Sequence, residues 1–84
     1  MQGRRLPDGE IAGEACFEPG VYGRIKENGD WHACTPPGWL ANLAAHDVVE
    51  HEDGTITASP SILVSDGTGR EWHGYLERGA WREC

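Results

Sequence analysis

Apolar and polar residues alternate along much of this chain, and the alternation is broken by Asn-Gly, Asp-Gly and Arg-Gly pairs. A period of two predicts strands with one buried face, and such pairs predict hairpin turns. The central case is VVEHEDGTITASPSIL, residues 48–63. A two-residue turn at Asp53-Gly54 would set Glu52 against Thr55, His51 against Ile56, Glu50 against Thr57 and Val49 against Ala58. Val49, His51, Ile56 and Ala58 would then share a face that can be buried, and Glu50, Glu52, Thr55 and Thr57 one that cannot. Pro60 suits a strand end or a bulge, after which Ile62, Leu63 and Val64 restart an apolar run.

Two further hairpins follow from the same logic. Residues 21–26 and 31–34 flank Glu27-Asn28-Gly29-Asp30. In the simplest register Val21, Ile25, His32 and Cys34 share one face, and Arg24, Lys26 and Trp31 the other, with Lys26 opposite Trp31. Residues 72–77 and 80–84 flank Arg78-Gly79. There Trp72, Leu76 and Trp81 share a face, Tyr75 and Arg82 share the other, and His73 stands opposite Cys84. Between the first two hairpins, Thr35 as an N-cap, Pro36 at the first helical position and the helix formers of residues 39–45 predict a short helix, with Leu40, Leu43 and Ala44 facing inward. Residues 65–70 read as a loop. The expected fold class is therefore α+β, mainly β: three β-hairpins forming a small curved antiparallel sheet with one short α-helix. Residues 20–84 form this single domain. Residues 1–19 precede it as an N-terminal arm, partly mobile unless Ile11, Ala15 and Phe17 anchor it.

A chain of 84 residues with four tryptophans has room for one small core. Charge changes the picture more than size does. The net charge is −7, and no Lys or Arg lies between Lys26 and Arg70. That interval holds Glu27, Asp30, Asp47, Glu50, Glu52, Asp53 and Asp66. The ordinary role of such charge is solubility. Its functional role would be to steer the protein towards a basic partner and away from bare nucleic acid.

Three cysteines, Cys16, Cys34 and Cys84, leave one unpaired in a monomer. No apolar stretch follows Arg4-Arg5 as a leader would require, and no run has transmembrane length. The expected setting is cytoplasmic, with reduced thiols. His32, Cys34, His73 and Cys84 are zinc-ligand types that hairpins could bring together in pairs, but no Cys-x-x-Cys spacing accompanies them. A small buried Cys34 and packed histidines explain them as well. Glu50, Glu52 and Asp53 beside His46 and His51 could supply acid–base chemistry, but alternation sets His51 apart from both glutamates, and the chain is short for a dry pocket. His32 and Cys34 lack a residue to orient a base. Asp66-Gly67-Thr68-Gly69-Arg70 lacks the Gly-Lys-Ser/Thr ending of a phosphate loop. No enzyme is expected. Any of Trp31, Trp39, Tyr75 and Trp81 left exposed beside the acids would form an amphipathic interface.

The run EHEDGTITASPSIL (residues 50–63), followed by EWHGYLERGAW (71–81), resembles a family of small bacteriophage and prophage proteins. The likeness covers the C-terminal half together with TPPGWLANLAAH, residues 35–46. It implies a phage or prophage context and brings no activity with it. Some of those proteins carry a cysteine–histidine pair where this chain has Trp72-His73, so a metal site of theirs need not carry over. The resulting expectation is a non-enzymatic, cofactor-free interaction protein acting in a bacterial host cell. Asp47, Glu50, Glu52, Asp53 and Asp66 would occupy Lys and Arg groups of a nucleic-acid-binding host or phage protein, imitating phosphate charge. An anti-defence inhibitor such as an anti-CRISPR fits that size, charge and context. The alternatives are a zinc-dependent or nucleic-acid-associated phage module using His32, Cys34, His73 and Cys84, and a virion or assembly component.

Overall fold

The computed structural model describes residues 1–11 and 18–84. These form eight strands: β1 (Arg4–Arg5), β2 (Val21–Arg24), β3 (Trp31–Cys34), β4 (Leu40–Asn42), β5 (Asp47–Glu50), β6 (Ile56–Ser65), β7 (Glu71–Glu77) and β8 (Ala80–Glu83). They make two four-stranded sheets, ordered β1-β2-β3-β4 and β5-β6-β7-β8. All neighbours are antiparallel except β1 and β2. The single curved sheet expected from three hairpins is thus replaced by two sheets, and no helix occurs among the described residues.

The predicted helix fails at Thr35. Its hydroxyl donates to the Trp39 carbonyl at 2.6 Å and accepts from the Trp39 amide at 3.2 Å, closing a hairpin instead of capping a helix. Seven helix-forming residues cannot offset the cost of nucleation alone. Residues 40–42 gain a ready ladder by pairing with β3, Leu40 against Cys34 and Asn42 against His32.

The inner faces of the two sheets share one core. Tyr22, Ala33 and Ala41 from the first sheet meet Ile56, Ala58, Ile62, Trp72, Leu76 and Trp81 from the second, with Leu43 between. Trp72 and Trp81 stack edge to face, centroids 5.6 Å apart. The outer face of the first sheet is also covered: Val21, Ile25 and Cys34 cluster with Leu6 and Ile11. The predicted faces of the first hairpin are therefore as observed, but the register is shifted by two. Arg24, not Lys26, stands opposite Trp31. Cys34 departs from the expectation of reduced thiols, being disulfide-bonded, whereas Cys84 is free and exposed.

Residues 1–11 are stitched to both sheets. Gln2 bridges Ala80 on the outer edge of β8, and Trp81 donates its amide to the Met1 carbonyl at 2.7 Å. Two residues later, β1 pairs in parallel with β2. Ile11 anchors this segment; Ala15 and Phe17 lie outside the described residues.

Candidate interaction site

The turn joining β5 to β6 is one residue longer than a two-residue hairpin. The Gly54 amide donates to the His51 carbonyl at 3.0 Å, and the His51 amide to the Thr55 carbonyl at 2.8 Å. Gly54, at φ +87°, takes the left-handed position that closes a three-residue loop with a bulge. The register becomes Glu50↔Ile56, Val49↔Thr57 and Val48↔Ala58. One residue of slip flips every β5 side chain. Val48 faces the core and Val49 is 57% exposed, the reverse of the expected burial of Val49 and His51. His51 lies on the wet face, its Nε2 2.7 Å from the Thr57 hydroxyl.

The flip also turns Glu50 inward. There it pairs closely with Arg5 and lies 3.1 Å from Nη2 of Arg24. Both guanidiniums stack on the Trp31 ring, at 4.9 and 4.6 Å from its centroid. Arg5 additionally donates to the Gly54 carbonyl at 3.0 Å and bonds Asp8 at 3.1 Å. The hydrogen bond from Arg5, helped by the nearby Arg24 charge, holds the Glu50 carboxyl below its ordinary value. Glu50 is a clamp between the sheets, and its charge is already balanced.

Glu52 and Asp53 remain at the exposed tip of the turn, and neither forms an ion pair among the described residues. Asp53 accepts from the Thr55 amide at 3.0 Å and the Thr55 hydroxyl at 2.6 Å. These bonds, the hydroxyl's first, depress its pKa and fix the carboxylate's direction. Glu50, His51, Glu52, Asp53 and Arg78 line a shallow depression at this end of the molecule. Asp47 is exposed farther down β5, opposite Ser59. Asp66 is not part of this group: it follows Ser65 at the other end of the ten-residue strand β6. It caps its own turn through the Thr68 amide at 2.8 Å and hydroxyl at 2.6 Å. The five acids expected to act together thus divide: Glu52 and Asp53 at the tip of the turn, Asp47 at the far end of β5, Glu50 as an internal clamp and Asp66 in a distant turn.

The four alternative zinc ligands are also divided. His32 and Cys34 are buried on the outer face of the first sheet. His73 and Cys84 are exposed on the outer face of the second, where the Cys84 amide donates to the His73 carbonyl at 2.9 Å. The packed core separates the two pairs, and no group of three or more metal-ligand side chains gathers among the described residues. His73 hydrogen-bonds the Ser61 hydroxyl at 2.7 Å.

Of the aromatic candidates, Trp81 is buried and donates to the Gly20 carbonyl at 2.9 Å, while Trp31 and Trp39 are half-buried. Arg70, itself largely exposed, lies over Trp39 at 5.7 Å. Only Tyr75 is exposed, beside Arg82, with Leu63 and Val49 as other apolar residues on that face. Sequence reading missed the exposure of Leu63 and Val49; that of Val49 follows from the extra loop residue, which Asp53-Gly54 alone does not announce. No helix among the described residues is long and apolar enough to cross a membrane. Compared with known proteins, the chain matches no family model, no curated protein and no solved structure.

Proposed function

We propose that this is a non-enzymatic interaction protein of phage type that binds a basic, nucleic-acid-holding protein of host or phage and occludes it. The observation that carries this reading is the pair Glu52 and Asp53, exposed and unpaired with any base among the described residues, on a turn whose geometry its own hydrogen bonds hold. Asp47 extends the negative surface along β5. Carboxylates held in this way can meet Lys and Arg groups that otherwise engage phosphate, with little ordering cost on this side. An anti-defence inhibitor, an anti-CRISPR among them, is the class this describes.

The test is affinity capture from nuclease-treated host lysate, with wild type set against Asp47→Asn/Glu52→Gln/Asp53→Asn. Asparagine keeps the Oδ1 acceptor at Asp53, so the turn survives while the charge goes. Capture of a nucleic-acid-binding protein by wild type, released by moderate salt and lost in the variant, is the expected result. Equal capture by both would overturn the proposal.

A further inference from the structure

We propose that β5 takes its partner as an added strand: an extended, basic segment of the bound protein pairs along this edge of the second sheet. The inference rests on the acidic-surface reading above and specifies how the partner is held.

The backbone supplies the first half of the argument. β5 is the outer strand of the order β5-β6-β7-β8. Ladder bonds alternate along an antiparallel pair. Because His51 and Thr55 are a hydrogen-bonded pair, so is the pair two steps on, Val49 and Thr57. The amides and carbonyls of Val48 and Glu50 therefore point away from β6. The same parity sends the Ile56 carbonyl the other way, as its bond from the Gly79 amide at 3.0 Å shows. The opposite edge of this sheet is already covered, since residues 1–3 run along β8. The edge at β5 has no such cover among the described residues.

Chemistry supplies the second half. Open edges are ordinarily blunted by shortness, charge, proline, a bulge or a covering segment. β5 is short, ends in a bulged turn and turns Glu50 inward, but it carries no lysine or proline, and the charges it presents are all acidic: Asp47 beside an exposed Val49, with Glu52 and Asp53 at its end. An incoming strand would gain main-chain hydrogen bonds to Val48 and Glu50, an apolar contact at Val49, and charge pairing for its Lys or Arg at both ends. A segment rich in acids would be repelled.

The probe is an acetylated, amidated octapeptide of alternating Lys and Thr, a soluble sequence of good strand propensity, at low salt. Amide exchange in the full chain is followed with and without it. Slowed exchange at Val48 and Glu50, no change at the already paired Val49, and affinity about five- to tenfold weaker for the same peptide N-methylated along its backbone are the expected results. Equal binding of both peptides without protection at Val48 and Glu50 would overturn strand addition yet leave the acidic surface standing. Peptide binding that persists in Asp47→Asn/Glu52→Gln/Asp53→Asn would overturn the charge reading on which the inference rests. No peptide binding at all would overturn strand addition.

Discussion

At Glu50, two guanidiniums compete with any outside partner for one carboxylate, and the indole of Trp31 holds both of them in place. Truncating the charge without changing the shape tests that role. Glu50→Gln is expected to lower the thermal midpoint at neutral pH while leaving capture of a basic partner largely intact. The pH dependence has a definite sign. The folded protein holds the Glu50 carboxyl below its ordinary 4.5, so its stabilising effect is complete above that value. It is lost as pH falls through the lowered folded value. Thermal melts in a series of acidic buffers should show wild type and Glu50→Gln converging below about pH 4.5; a gap that stays constant would remove the ion pairs as its cause. Asp53 differs in kind. Its bonds come from Thr55, which is neutral, so its full negative charge remains available outside.

At the scale of the element, turns decided what the sequence revealed. The Arg78-Gly79 hairpin was readable because a two-residue loop leaves no freedom of register: Leu76 faces Trp81 and Tyr75 faces Arg82, as alternation required. Both turn residues have positive φ, +47° at Arg78 and +77° at Gly79. Arginine takes that conformation at a cost that asparagine largely escapes. Arg78→Asn should therefore raise stability by about 0.5–1 kcal/mol, measured by urea unfolding; a loss would mean the guanidinium contributes more than its backbone strain costs. Asp53-Gly54 was misread because the same dipeptide also ends a three-residue loop. Residues 35–39 use the identical closure, Gly38 amide to Thr35 carbonyl at 2.7 Å and Thr35 amide to Trp39 carbonyl at 2.9 Å. Side-chain type announced a turn at Asp53-Gly54 and a helix start at Thr35-Pro36, but the loop length in both places depended on which strand pairing gave the better core, and that information is spread over the whole chain. Hence the strands of the three hairpins were legible, while β1, β4 and the division into two sheets were not, and a helix was expected where β4 forms.

For the molecule as a whole, the clearest lesson comes from its first residues. Met1 bonds to Trp81, 80 positions away, and the next few residues bridge to the other sheet. Closing so long a loop is entropically costly and is rewarded only late. Despite its size, the chain should refold on the slow side, in about milliseconds to seconds, which stopped-flow tryptophan fluorescence can follow; microsecond folding would contradict this account. The same connection has a meaning for synthesis. Until the ribosome has released β8, residues 1–3 have no strand to lie against, so a growing chain leaves unguarded a backbone edge that the folded one covers. The order of manufacture thus leaves β8 to meet a segment made some 80 residues before it, and a copy interrupted between the two would be sticky at a place where the folded chain is closed.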